Sequence, residues 1–304
     1  MTLKNRNEPQ LPIKSDRTGY LFALATYVIF ASQDAISKHL GQTYSPVMIT
    51  MIRYWAFGAF AVALAMRAPG GLKAAVSTTR PILQVFRGVL LSTQIVTAIF
   101  CFWLVGLAHS QAIFAATPLL VAALSVPVLG EHVGWRRWLA IGAGFVGVML
   151  ILKPDAGLLD PILLLAVLNA FLLAAYALAT RLVARTDKPM TSFFYIGVVG
   201  AVAMTLVGPF AWEPMAPRDW GWMAALCCTG MISHYCLIKA LDHLDAVLVQ
   251  PFSYLHLVMS CFIGVLLFSE DLPANVWGGS LIVVGAGVFT VWREIRAKRV
   301  AATT

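Results

Sequence analysis

Any chemistry this chain performs must come from polar side chains set inside long apolar runs. Asp34 and Lys38 are four residues apart, so a helix carries both on one face, where they can pair with each other. Arg53 and Arg87 also fall within apolar runs, where a guanidinium can hold a carboxylate through two parallel hydrogen bonds. Near a helix end, Arg87 can instead snorkel to the interface. Gln94, Thr97 and Cys101 recur at helical spacing, with Trp103 just beyond. Asn169 and Tyr176 are seven apart on another face, and His234, Tyr235, Gln250, Ser253, Tyr254 and His256 follow. A carboxylate, a guanidinium, imidazoles, amides and aromatic rings form a set that binds a small amphiphilic solute. Each member also has a structural reading as an ion pair, an interhelical hydrogen bond or an aromatic contact. Histidine titrates near neutral pH, so His234 and His256 make proton coupling an expectation.

Other function classes lack their signatures. There is no phosphate-cradling G-x-x-x-x-G-K-[ST] loop, no H-E-x-x-H and no G-x-S-x-G. The cysteines Cys101, Cys227, Cys228, Cys236 and Cys261 sit in apolar runs without metal-ligand or disulfide spacing, so neither a metal nor a cofactor is expected. The net charge of +8 comes from short clusters between apolar runs, which reads as membrane topology and not as a nucleic-acid surface.

The elements that must position these residues are helices in lipid. The chain of 304 residues is 60% hydrophobic and 12% charged, about half the charge of a soluble domain. Ten runs reach the length of a spanning helix: 18–40, 46–67, 81–107, 110–130, 134–153, 157–181, 190–211, 219–240, 246–269 and 273–293. Proline and turn residues mark most joints, among them Ser45-Pro46, Pro69-Gly70-Gly71, Lys153-Pro154, Asp160-Pro161 and Lys188-Pro189. The first run is too long for a cleavable leader and lacks a small-residue cleavage site. With both termini in the cytoplasm, 17 of the 22 Lys and Arg residues fall on the cytoplasmic side and 3 on the other, with Arg53 and Arg87 inside runs. That is the bias the positive-inside rule requires.

The chain also repeats. Glu131 and Trp138 find Glu270 and Trp277 at an offset of 139, and Leu107-Ala-His-Ser-Gln-Ala112 is echoed by Leu241-Asp-His-Leu-Asp-Ala246 at an offset of 134. Five spans per unit is odd, so the second unit enters the membrane from the opposite face, giving inverted repeats. The expected organisation is a polar cytoplasmic tail at 1–17, units at 18–154 and 155–294, and a second tail at 295–304. Pro118, Pro127 and Pro251 free backbone carbonyls in the fourth and ninth spans, as static kinks or as hinges. Glu131 and Glu270 are expected to anchor the elbows. The glycines of spans 5 and 10 (Gly142, Gly144, Gly147, Gly278, Gly279, Gly285, Gly287) allow close helix packing or a homodimer face.

Ala112 to Pro118, Gly130-Glu131 and the glycine-rich run ending in Leu152-Lys-Pro154 together resemble the EamA-type module of the drug/metabolite transporter superfamily. The second unit matches through Gln250-Pro251-Phe-Ser-Tyr254, Phe268-Ser-Glu270, Gly278 and Arg293-Glu294. One departure is Leu257, which stands where Pro118 does when both are counted back from the glutamates, so the two units need not bend alike there. The resemblance implies an all-α carrier of ten transmembrane helices in the bacterial inner membrane. It also implies export of small metabolites, amino acids and aromatic ones among them, by alternating access around a central cavity. Another metabolite or drug-like amphiphile is the alternative substrate, and an intramembrane enzyme or a channel-like protein the alternative class.

Overall fold

The computed structural model describes residues 16–130, 134–153, 160–244, 246–249 and 251–303; among these there is no strand. The helices are α1 (Arg17–Gly41), α2 (Pro46–Arg67), α3 (Gly71–Val76), α4 (Pro81–Leu104), α5 (Leu107–Phe114), α6 (Thr117–Leu129), α7 (Trp135–Leu152), α8 (Pro161–Val183), α9 (Pro189–Val207), α10 (Asp219–His243), α11 (Ala246–Val249), α12 (Phe252–Phe268) and α13 (Ala274–Thr303). Nine of the described segments, with α5 and α6 taken together, are long and apolar enough to cross a bilayer, and α12 is a shorter apolar helix. Proline opens α2, α4, α8 and α9, where the missing N–H would have had no helical partner anyway. Past residue 293, where the last run was expected to end, α13 continues to Thr303, so the expected C-terminal tail is helical there.

Two spans are broken. The fourth is α5 and α6, interrupted at Ala115–Ala116, with Pro118 at the start of α6. The ninth is α11 and α12, with Pro251 capping α12. At the upstream offset of 134 Pro118 falls on Phe252, next to Pro251, so a proline stands at each break. Pro127 lies inside α6.

The packing is pairwise: α1 lies on α10 and α12, α8 on α4 and α6, α2 on α9, and α7 on α13. Between α7 and α13 the backbones nearly touch. A Cβ at Gly279 would stand 2.5 Å from the carbonyl oxygen of Gly147, and one at Gly147 would stand 2.8 Å from that of Gly279. Gly144 receives Leu119, and Gly287 receives the Tyr254 hydroxyl. These four glycines, expected to allow close helix packing or a dimer face, pack helices within the chain. Among the described residues, a Cβ at Gly142, Gly278 or Gly285 would meet nothing within 4 Å.

Candidate functional site

Polar residues from five helices converge around Phe30 and Asp34 of α1. Nε2 of His256, in α12, lies 2.8 Å from Oδ2 of Asp34, so the tautomer protonated at Nε2 donates to the carboxylate. Nε2 of Gln111, in α5, donates to the same oxygen at 2.5 Å. One carboxylate of the first helix thus holds a residue from each broken span. Phe30 lies one turn before Asp34, with its ring 5.7 Å from that of His234 and 6.1 Å from that of His256.

Beside this cluster is a cavity of about 360 Å3, lined by Arg53, Tyr54 and Phe57 of α2, Leu91 of α4, and Cys227 and His234 of α10. Arg53 keeps part of its surface open to this space. It lies within electrostatic reach of Asp34. Among the described residues its guanidinium has no hydrogen bond or ion pair. Such a charge is costly in lipid unless a cavity or a partner receives it. Gly230 leaves room for the head group: a Cβ there would stand 3.2 Å from Oε1 of Gln33 and 3.8 Å from Nη2 of Arg53.

One turn beyond Asp34, Lys38 forms its ion pair with Glu270, not with Asp34, correcting the pairing expected from their spacing. Local geometry aims Glu270. Ser269 adopts a left-handed conformation (φ 51°) after α12, and the Glu270 amide donates back to Gly264 at 3.0 Å. Glu270 then accepts from the backbone N–H groups of Leu107 at 2.7 Å and Ala108 at 2.9 Å, capping α5 across the bundle. Gly106 (φ 102°) permits this approach, since a Cβ there would sit 3.2 Å from the carboxylate. The elbow-anchor expectation therefore holds at Glu270, while Glu131 lies outside the described residues.

Of the residues expected from sequence, Asp34, Arg53, His234 and His256 come together here. Gln94 is buried against Asn169 at 3.4 Å, and Tyr176 stacks near Arg87 with 5.8 Å between guanidinium carbon and ring. Arg87 is 1% exposed and donates to Thr180 and to the Ser192 carbonyl, so it is a buried strut and not a snorkelling side chain. Tyr254 packs against Gly287, and Ser253 is half-buried on the first turn of α12. Trp103 and Tyr235 are 49% and 43% exposed and do not line the cavity. The reason for Tyr235 is helical phase: next to His234 it is turned by about 100°, and only one of the two can face inward. Gln250 lies outside the described residues. Sequence reasoning did not place Gln111 or Phe30 in this cluster. The signal for Gln111 was present, a lone amide inside the repeated Leu107–Ala112 segment.

The family model described as the EamA-like transporter family matches this chain twice, over residues 17–153 and 160–292. An S-adenosylmethionine uptake transporter of Rickettsia felis is 26% identical over 285 residues, covering 94% of this chain and 96% of the relative. A riboflavin transporter of Rhizobium johnstonii is 28% identical over 310 residues, covering 98% and 99%. A pseudopaline exporter of Pseudomonas aeruginosa is 26% identical over 271 residues, covering 88% and 94%. A crystal structure 18% identical in sequence matches with a TM-score of 0.60 over 91% of this chain and 98% of that one, which shows the fold alone.

Proposed function

We propose that this chain, which belongs to the EamA-like transporter family, carries small zwitterionic metabolites of the amino-acid type across the bacterial inner membrane. The observation that carries the reading is the Arg53 guanidinium, without a hydrogen bond or ion pair among the described residues, at a cavity of about 360 Å3 and within electrostatic reach of Asp34. A guanidinium takes a carboxylate in two hydrogen bonds, and a carboxylate takes an ammonium. Phe57, Leu91 and the ring of Tyr54 supply the apolar walls, which suits an aromatic or otherwise amphiphilic side chain. S-Adenosylmethionine, for which the Rickettsia relative is named, bears such an α-amino acid group. The relatives are named for both uptake and export, and export is the direction we propose for this chain.

The mechanism we propose is alternating access between two inverted five-helix units, 18–154 and 155–294, with both termini cytoplasmic. The packing supports it: α1 against α10 and α12 becomes α8 against α4 and α6 when the units are exchanged, while α2–α9 and α7–α13 map onto themselves. The distribution of Lys and Arg supports the orientation. Breaks at Pro118 and Pro251 put one hinge in each unit, and Asp34 holds residues of both broken spans. Protonation of the Asp34–His256 pair gives a route for proton coupling.

Purified protein in liposomes, loaded with one solute and given labelled solute outside, tests this by counterflow. Amino acids and S-adenosylmethionine should exchange saturably, and a pH gradient should drive accumulation. If only riboflavin moves, the zwitterion reading fails. Flux that does not saturate would point to a channel.

A further inference from the structure

A second cavity, of about 340 Å3, lies beside the break in the fourth span. Its walls are Ile113 and Ala116 at the break, Leu119 of α6, Phe145 of α7, and Val167 and Phe171 of α8, and among the described residues no lining side chain is polar. A polar solute would lose its hydrogen bonds here without replacement. The inner wall is buried, with Ile113 at 1% and Leu119 at 2% exposure, while Phe145 and Phe171 at the mouth are each 42% exposed. Both phenylalanines lie near the middle of helices long enough to cross a bilayer, so the mouth opens into hydrocarbon and not into water. Engineered cavities of about 150 Å3 with hydrocarbon walls stay dry and take apolar ligands. This one has the same kind of wall and opens onto a reservoir of such ligands.

We propose that this cavity binds an acyl chain of a membrane phospholipid. The chain would enter between Phe145 and Phe171 and rest against Leu119, which reaches α7 because Gly144 has no side chain; a Cβ there would stand 2.0 Å from Leu119 Cδ1. Its position matters: α7 closes the first segment matched by the family model and α8 opens the second. The acyl chain therefore wedges between the two segments, next to Ala116 at the helix break. Any motion that closes the break or slides α7 against α8 must expel it or reshape its site. Lipid chain length and unsaturation then act on the conformational balance through this wedge.

Photolabelling of the full chain tests the proposal without reading transport. The protein is placed in phosphatidylethanolamine–phosphatidylglycerol vesicles containing a phosphatidylcholine with a diazirine at mid-chain, irradiated, and mapped by peptide. Adducts should concentrate on the peptides bearing Phe145 and Phe171, severalfold above those bearing the more exposed Leu266 and Leu267. Val167→Trp, which fills the cavity, should cut that labelling severalfold, and Phe171→Ala, which widens the mouth, should keep or raise it. Labelling spread evenly over the exposed helices overturns the proposal, a result the wild-type chain gives even if a variant fails to fold. So does cavity labelling that survives Val167→Trp, or that free amino acid displaces, since the occupant would then be the solute.

Discussion

Glu270 accepts a hydrogen bond from the backbone nitrogen of Leu107 at 2.7 Å, so a residue of the second matched segment caps a helix of the first. The same carboxylate holds Lys38, and both side chains are nearly buried, at 6% and 13% exposure. Nothing in α5 itself provides this cap: Gly106 at its N-terminus has no side chain to offer. The latch sits one turn along α1 from Asp34, so opening that end of the bundle must break it.

Removing the Glu270 carboxylate strands a buried ammonium and two helix-end N–H groups. Glu270→Ala should destabilise the protein by about 3 kcal/mol. Glu270→Gln, which still accepts hydrogen bonds, should cost less. Thermal unfolding in detergent compares them; equal midpoints for wild type and Glu270→Ala would refute the cap.

Arg53→Ala should weaken amino-acid binding by about 2 kcal/mol, roughly thirtyfold, if the guanidinium holds the substrate carboxylate. Arg53→Lys should recover little, because an ammonium lacks the planar fork. The readout is the concentration giving half-maximal counterflow, alongside a thermal midpoint showing that the fold survives.

Asp34→Asn keeps an acceptor for Gln111 and His256 but removes the charge. Counterflow of zwitterions should fall by about tenfold or more. In His256→Gln, accumulation driven by a pH gradient should disappear while counterflow without a gradient persists. Gradient-driven accumulation that survives this variant would place coupling elsewhere.

Gly279→Ala puts a Cβ 2.5 Å from the Gly147 carbonyl and must spread α7 from α13, at a cost of about 1–3 kcal/mol. Gly142→Ala meets nothing within 4 Å and should stabilise its helix by about 0.5–1 kcal/mol. Opposite shifts in thermal midpoint check the pair, and shifts of the same sign would contradict the packing.

Asp187 lies in the loop between α8 and α9. Burial alone would raise its pKa, but hydrogen bonds from Thr78, Gln84, Thr79 and Thr186 outweigh that and hold it below the ordinary value of 3.8. The folded-state pKa is thus depressed. The stabilisation is present above the ordinary value and is lost as pH falls through the folded one. Asp187→Asn should therefore lower the thermal midpoint at neutral pH and flatten its decline in acid below about pH 4. An unchanged acid slope would mean the network does not stabilise the fold.

The ladder of apolar runs, their proline joints and the polar residues within them were legible in the sequence. Hydrophobic length fixes how many helices can span, and helical periodicity fixes which side chains share a face. Asp34, Arg53, His234 and His256 could be picked out because charge and imidazole are costly in lipid and stand out against it. Periodicity, however, places a side chain only around its own axis. Which helix lies opposite is decided by packing, as where Gly147 meets Gly279. Lys38 therefore turned to Glu270, 232 residues away, and not to Asp34 four residues before it. Gln111 reaches Asp34 and Trp103 stays 49% exposed, because only the assembled bundle sets which faces turn inward.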